Sequence, residues 1–169
     1  MGQLARFPSG APWEPVAAYS RVVKAGNFVA VSGTTSIDER GLVVGKGQMY
    51  VQARQTLLNI QRALERIGLS MRDVIRTRIF VTDISRFTEA ARAHHDFFAD
   101  CPPASTMVEI KRLVHPDMMI EIEADAYAGP EAAAAPAAVP AGRRKTSSKS
   151  SVRKKPAPRS SKTQRRRRK

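Results

Sequence analysis

Cysteine and histidine are scarce in this chain of 169 residues, which contains one of the former and three of the latter. Cys101 by itself cannot form an intrachain disulfide, and a lone cysteine fits a reducing compartment. So few sulfur and imidazole ligands also disfavour a structural zinc site within one chain. No apolar run reaches the roughly 18 residues of a transmembrane helix, and the N-terminal segment lacks the apolar core of a secretory signal. We therefore expect a cytoplasmic protein without membrane attachment and without a metal site.

Acidic residues are nearly absent from one end of the chain. Residues 129–169 hold 14 Lys and Arg against Glu131 alone, whereas residues 1–128 hold 15 against 14 Asp and Glu. The pI near 10.9 therefore belongs to a tail, and a packed basic fold for nucleic acid is disfavoured. The tail is Ala/Pro-rich and then Lys/Arg-rich, and it cannot bury enough apolar surface to offset a backbone ordering entropy of about 1–2 kcal/mol per residue. The sequence predicts one domain over residues 1–128 and a disordered tail over residues 129–169.

The basic part of the tail suggests a binding function of its own. No aromatic residue lies among its charges, so base stacking is not available, and binding would rest on phosphate charge without sequence preference. Nucleic acid, the ribosome and polyphosphate are equally compatible partners, and the alternative is a solvated extension. The candidate polyanion-binding residues are Arg143, Arg144, Lys145, Arg153, Lys154, Lys155, Arg165, Arg166, Arg167, Arg168 and Lys169.

Hydrophobic periodicity in residues 1–128 alternates between strand and helix patterns. Residues 48–67 carry an apolar stripe at helical spacing, and Gly68 fits a left-handed cap after it. A second helix is predicted over residues 86–99, with Ser85 as its N-cap. The predicted strands are 19–24, 27–32, 74–82, 105–113 and 119–127, the first two joined as a hairpin. We expect an α+β fold whose mostly antiparallel sheet is covered by two helices on one face. Solvent or another subunit would cover the other face.

Four segments, in the same order and spacing, resemble the Rid (YjgF-type) family of reactive-intermediate deaminases. They are YSRVVKAGNFVAVSGT, RTRIFVTDISRF, PPASTMVEIKRL and IEIEADAYA, and the resemblance covers about residues 18–128. It implies a chorismate-mutase-like fold, a homotrimer and small-molecule ligand sites in the three clefts between subunits. Best-known members hydrolyse imines and enamines released by pyridoxal-phosphate enzymes, giving ketoacids and ammonia. They use no metal or organic cofactor.

The motif that holds the substrate in those deaminases is altered here. In the family motif Pro-Ala-Arg-Ser, the planar guanidinium pairs with the substrate carboxylate. This chain reads Pro103-Ala104-Ser105-Thr106, with Ser105 in the Arg position. A hydroxyl cannot replace a fixed positive charge, so an ordinary 2-imino acid is not the expected substrate.

The resemblance also implies roles for individual residues. Glu121 matches the family's Glu that positions or activates water and is the candidate catalytic residue. The candidate substrate-binding residues are Tyr19, Gly33, Ser105 and Thr106. Each has a structural alternative: an acid on an exposed sheet face, a packed tyrosine ring, a turn glycine with positive φ, and hydroxyls that cap backbone groups in a loop.

Several further side chains have structural explanations as well. The positive charge that is missing at Ser105 would be restored by strand arginines, namely Arg76, Arg78 and Arg112. The alternative is that these arginines pair across strands with Glu121 or Glu123. His94 and His95 are adjacent on a helix and diverge by about 100°, so they cannot both bind one ion within the chain. Cys101, next to two prolines, has no feature of a nucleophile.

Three functions are compatible with the sequence. The favoured one is an enzyme, a Rid-type trimer that hydrolyses an imine, enamine or related C–N bond. The alternatives are a non-catalytic metabolite-binding trimer and a polyanion binder that clusters three basic tails. An endoribonuclease, a label that some family members carry, ranks below these because no His or Lys pairing for RNA cleavage is evident.

Overall fold

The computed structural model of the chain describes residues 4–11 and 13–129. The predicted tail lies outside these residues apart from Gly129, so the boundary at residue 128 and the polyanion-binding clusters stay predictions. The strands are β1 (Leu4–Phe7), β2 (Val22–Ala25), β3 (Phe28–Thr34), β4 (Val74–Val81), β5 (Ala104–Glu109) and β6 (Ile120–Tyr127). The helices are α1 (Trp13–Ala17), α2 (Met49–Glu65) and α3 (Phe87–Phe98), with 3-10 turns at Met71–Asp73 and Ile84–Arg86. Sequence periodicity did not predict β1 or α1.

The strands form a six-stranded sheet in the order β1-β2-β3-β6-β4-β5. The pairing of β4 with β5 is parallel, and the other four pairings are antiparallel. The predicted hairpin is confirmed, because Ala25 pairs with Phe28 around a two-residue turn in which Gly26 has φ of 61°. A mostly antiparallel α+β fold is therefore confirmed.

Helix α2 supplies much of the core. Its buried stripe includes Met49, Ala53, Leu57, Ile60 and Leu64, and it packs against the buried residues of β3 and β6. Gly68 ends the helical segment with φ of 77°, and the Leu69 N–H donates to the Leu64 carbonyl at 3.0 Å. Leu69 is itself buried, which confirms the predicted left-handed cap and its apolar closure.

The start of α3 corrects the prediction that Ser85 is its N-cap. The helix begins at Phe87, after the 3-10 turn, and no side chain caps it. The capping side chain belongs to Asp83, whose carboxylate accepts the Ser85 N–H at 3.0 Å. Asp83 therefore caps the 3-10 turn, and the Ser85 hydroxyl donates to the Asp83 carboxylate instead of capping α3.

The predicted strand 105–113 is too long at its C-terminal end. The Ile110 N–H donates a last bond to the Val81 carbonyl at 2.8 Å, and β5 ends at Glu109. Beyond it the chain leaves the sheet, and Val114 is 85% exposed.

The two faces of the sheet differ in their environment. Thr77, Ile79 and Val81 of β4 are buried on the face toward the helices. On the opposite, open face, Arg78 Nη2 lies 3.1 Å from Asp125 and Arg78 Nη1 lies 3.7 Å from Glu123. Cross-strand pairing is therefore confirmed for Arg78. Within the described part of the chain, no helix is long and apolar enough to cross a membrane.

Candidate functional site

Glu121 lies against a bulge in β3. Val31 pairs with Ala124, but the next pairing of β3 with β6 joins Thr34 to Ile122, so β3 carries one extra residue. The three atoms nearest to a Cβ built at Gly33 all belong to the Glu121 side chain, and the Cβ would overlap its Oε1. Gly33 is not among the positive-φ residues of the described chain, so its explanation as a turn glycine is wrong. Glycine is needed here because a carboxylate approaches the backbone closely.

Arg21 holds the other side of this bulge. Its Nη1 donates to the Gly33 carbonyl and to Thr34 Oγ1, each at 2.8 Å. Its Nη2 lies 3.4 Å from the Tyr19 hydroxyl, and the guanidinium lies 5.7 Å from the centroid of the Tyr19 ring. Sequence reasoning missed Arg21. Its place two residues after Tyr19 on a predicted strand was a usable signal, since alternate strand residues share a face.

The environment of Glu121 favours the protonated carboxyl. Burial raises the pKa of Glu121, the like charge of Glu123 adds to the increase, and Arg21 opposes it. A carboxyl whose pKa lies above its usual value is a stronger base when ionised, and it keeps its proton to a higher pH than an ordinary carboxyl. Tyr19, Arg21, Gly33 and Glu121 therefore form one polar cluster, which we call the Glu121 cluster.

Ser105 is not part of this cluster within one chain. It pairs with Thr77 in the β4–β5 ladder, and its Oγ lies 2.9 Å from Thr77 Oγ1 on the face toward the helices. Thr106 pairs with Arg78 on the open face, in the row of Glu123. The two predicted hydroxyls therefore lie on opposite faces of the sheet.

An open cleft of about 350 Å³ lies between α3 and β5. The side chains that matter most for its chemistry are Ile79, His94, His95, Phe98, Ser105 and Met107. His94 Nε2 lies 3.0 Å from Thr77 Oγ1, and the His94 ring packs against Phe98 with centroids 4.5 Å apart. Burial lowers the pKa of His94, so its imidazole is neutral at physiological pH. We call this region the α3–β5 cleft.

Metal binding finds no support in the described residues. Among residues 4–11 and 13–129, no three His, Cys, Asp or Glu side chains are grouped to hold an ion. His95 lines the α3–β5 cleft beside His94, whereas Cys101 lies outside this cleft, with Sγ 4.0 Å from the Met71 carbonyl.

These features define a class of protein: a small α+β domain with a six-stranded, mostly antiparallel sheet and a carboxylate placed over a glycine bulge. Comparison with family models identifies the family, because the model described as Endoribonuclease L-PSP matches residues 10–128. The chain belongs to this family, which is also called the YjgF or Rid family. The family resemblance of the four segments is thereby confirmed.

Individual relatives agree with this assignment. A RutC family protein of Pyrococcus horikoshii is 38% identical over 121 residues, which are 72% of this chain and 94% of the relative. A 3-aminoacrylate deaminase of Acinetobacter baylyi is 35% identical over the same shares of the two chains. The crystal structure of a YjgF/YER057c/UK114 family member from Mycobacterium tuberculosis matches with a TM-score of 0.67 and 38% identity, covering 74% of this chain and 99% of that one.

Proposed function

We propose that this protein is a Rid-family hydrolase that acts on an imine, enamine or related C–N bond of a small molecule. Its substrate is not an ordinary 2-imino acid, and its site lies in clefts between the subunits of a homotrimer. No metal or organic cofactor takes part. The observation that carries this proposal is the half-buried Glu121 carboxyl, held over Gly33 and opposite Arg21.

The reaction needs one group that moves a proton. Water adds to the electrophilic carbon of the C=N bond while the Glu121 carboxylate takes its proton. Glu121 returns this proton to the nitrogen, which gives a carbinolamine. Transfer of the carbinolamine hydroxyl proton to the nitrogen, through the same carboxylate, then lets the C–N bond break, so that ammonia leaves and a carbonyl group remains. The Arg21 guanidinium fixes the bulge against which the Glu121 carboxylate lies, which keeps the site in one geometry during these steps. The name of the Acinetobacter baylyi relative, a 3-aminoacrylate deaminase, supports this reaction class.

The position of Ser105 supports a site shared between subunits. Ser105 and Glu121 lie on opposite faces of one sheet, so a single site that contains both requires two copies of the chain. The open face also carries exposed apolar side chains such as Val108, which is 42% exposed. A trimer places the α3–β5 cleft of one subunit against the Glu121 cluster of the next.

The substrate preference follows from the missing guanidinium at position 105. Arg21 Nη1 already donates hydrogen bonds to the Gly33 carbonyl and to Thr34 Oγ1. The Arg21 guanidinium is therefore not available for bidentate pairing with a substrate carboxylate. Imines made in situ by an amine oxidase lack a carboxylate, whereas those made by an amino-acid oxidase carry one. We expect the protein to accelerate hydrolysis of the first kind and to have little effect on the second.

The enzymatic test combines these two imine sources with two acid variants. Glu121→Gln abolishes the acceleration, while Glu65→Gln, an exposed acid on α2, leaves it unchanged. Ser105→Arg restores activity toward 2-imino acids. Equal rates on both kinds of imine, or unchanged turnover in Glu121→Gln, contradict the proposal. Specific ligand binding without any turnover favours the non-catalytic metabolite-binding trimer.

The charge of residues 129–169 supports a second function, non-specific polyanion binding. Fourteen Lys and Arg stand there against one acid, and a trimer would present three such tails with a gain in avidity. Replacing Arg165, Arg166, Arg167, Arg168 and Lys169 by Gln in the full chain lowers the affinity for duplex DNA and reduces its salt dependence. Equal affinity and equal salt slope for the two proteins contradict this function.

A further inference from the structure

The polar groups of the α3–β5 cleft carry no fixed charge. Ile79, Phe98 and Met107 provide apolar walls, and the polar side chains that line it are His94, His95 and Ser105. Among the described residues of one subunit, no Asp, Glu, Lys or Arg lines the cleft. An ionised ligand would lose its hydration there without gaining a counter-charge, which is a net cost.

A hydrogen-bonded series of three side chains leads from this cleft into the protein interior. Thr77 is 0% exposed, and its Oγ1 lies 2.9 Å from Ser105 Oγ and 3.0 Å from His94 Nε2. A threonine hydroxyl has one proton, so it donates to one of these neighbours and accepts from the other. The direction of one hydrogen bond in this series therefore fixes the direction of the other.

Two proton orders satisfy all three side chains. In one, His94 Nε2–H donates to Thr77, Thr77 donates to Ser105, and the Ser105 hydroxyl proton points into the cleft. In the other, Ser105 donates to Thr77, Thr77 donates to an unprotonated His94 Nε2, and Ser105 offers a lone pair to the cleft. The first order suits a ligand acceptor, and the second suits a ligand donor.

We propose that the α3–β5 cleft binds an uncharged ligand with an apolar body and a carbonyl, imine or amide group at Ser105, and that His94 is a positioning residue that sets, through Thr77, whether Ser105 donates or accepts. An imine nitrogen accepts a hydrogen bond before water adds, and the amine that forms can donate one. The coupled chain fits both states without moving a heavy atom. This inference rests on the proposed function, since it names the substrate class of the same site.

The test uses benzamide, benzoate and benzylamine, which share a ring and differ in charge. Dissociation constants are measured by NMR titration of the full-length protein at neutral pH, with the Met107 methyl and the His94 ring as reporters. Benzamide binds about tenfold or more tightly than either ion, a difference of about 1.4 kcal/mol. Equal affinity of benzoate and benzamide, or no response of the cleft to any of the three, overturns the proposal.

Variants separate the hydrogen-bond chain from packing. Ser105→Ala and Thr77→Val each weaken the binding of benzamide by about fivefold, which corresponds to the loss of one hydrogen bond of about 1 kcal/mol. Thr77→Ser restores the affinity, and Ser85→Ala, which removes an exposed hydroxyl that does not line the cleft, leaves it unchanged. If Thr77→Val fails to fold, Thr77→Ser and Ser105→Ala still decide, and wild-type affinity in Ser105→Ala counts against the proposal.

The nitrogen shifts of the His94 ring test its positioning role directly. Acetophenone can only accept a hydrogen bond from Ser105, so it moves His94 toward the Nε2–H tautomer. Phenol is a better hydrogen-bond donor than acceptor, so it moves His94 toward the Nδ1–H tautomer. Thr77→Val removes both responses. Identical His94 shifts with the two ligands refute the coupling.

The ligand-binding inference and the proposed hydrolase activity can be refuted separately. Glu121→Gln retains benzamide binding while it loses imine hydrolysis. A protein that selects benzamide but accelerates no imine refutes the hydrolase alone. One that hydrolyses imines through Glu121 but binds benzoate as well as benzamide refutes the present inference alone.

Discussion

The Glu121 carboxylate occupies the space in which a side chain at position 33 would have to lie. The three atoms nearest to a Cβ at Gly33 all belong to Glu121, and the closest is the terminal Oε1. The end of a flexible side chain can move aside at little cost, so this contact constrains the position of the carboxylate more than the stability of the fold.

Gly33→Ala is therefore expected to reduce activity and not folding. The new methyl displaces the Glu121 carboxylate, and imine hydrolysis falls by about 100-fold or more, because a displacement of about 1 Å at a catalytic group has that effect. The free energy of unfolding, measured by urea denaturation, falls by less than about 1 kcal/mol. In a Glu121→Ala background the same change has little further effect on either quantity. Full activity in Gly33→Ala would remove the assigned role of the close approach.

Glu121 makes the stability of the wild-type protein depend on pH in a defined direction. Its pKa is raised in the folded protein by burial first and by Glu123 second. Between about pH 4.3, the usual value for Glu, and the folded pKa, the folded state holds more protons than the unfolded state. The free energy of unfolding therefore falls as pH rises through this window, and Glu121→Gln removes the decline. A flat profile for the wild type, or the same decline in Glu121→Gln, contradicts the raised pKa.

Arg21 stabilises the bulge and lowers the pKa of Glu121 from the value that burial alone would give. Arg21→Gln lowers the free energy of unfolding by about 2 kcal/mol, because hydrogen bonds to charged groups contribute roughly 1.5–3 kcal/mol. It also moves the acidic limb of the pH–rate profile to higher pH. The control Arg40→Gln removes only a surface pair with Asp38 and costs less than about 1 kcal/mol. An unshifted acidic limb in Arg21→Gln argues against electrostatic contact with Glu121.

His94 gives the protein a second pH dependence, of opposite sign. Its pKa is lowered by burial, so between the folded pKa and about 6.5 the unfolded state holds more protons. The free energy of unfolding is lost as pH falls through this window. His94→Gln removes this loss, which a denaturation series across the range will show. NMR titration of the His94 ring with a pKa at or above 6.5 would contradict the prediction.

The end of α2 offers a stability test without a link to the site. Gly68 has φ of 77°, a conformation that L side chains rarely adopt. Gly68→Ala therefore lowers the free energy of unfolding by about 1 kcal/mol. Gly68→Asn costs less, since asparagine tolerates the left-handed region. Thermal and urea unfolding of the two variants provide the measurement, and an equal cost would mean that the strain is relieved by a backbone shift.

Local patterns predicted most of the elements of this fold. The alternation of Ile120, Ile122, Ala124 and Ala126 with acids indicated a strand with one buried face, and all four are buried. The α2 stripe and the Gly68 cap were predicted correctly for the same reason, since helix and strand periods are properties of a short segment. The predicted N-cap of α3 is wrong because the Ser85 hydroxyl donates to the Asp83 carboxylate, so it does not cap the helix.

The sequence by itself determined the strand and helix segments, the separation of charge between residues 1–128 and 129–169, the loss of the guanidinium at position 105, and the family. Only the tertiary structure decided that Arg21 meets Gly33, that Ser105 and Glu121 lie on opposite faces, and that Thr77 joins Ser105 to His94. The physical reason is that parity along one strand is local, whereas its neighbour and register depend on how distant segments pack together. A parallel β4–β5 pair and a bulge in β3 set those registers here, and no short stretch of residues specifies either one.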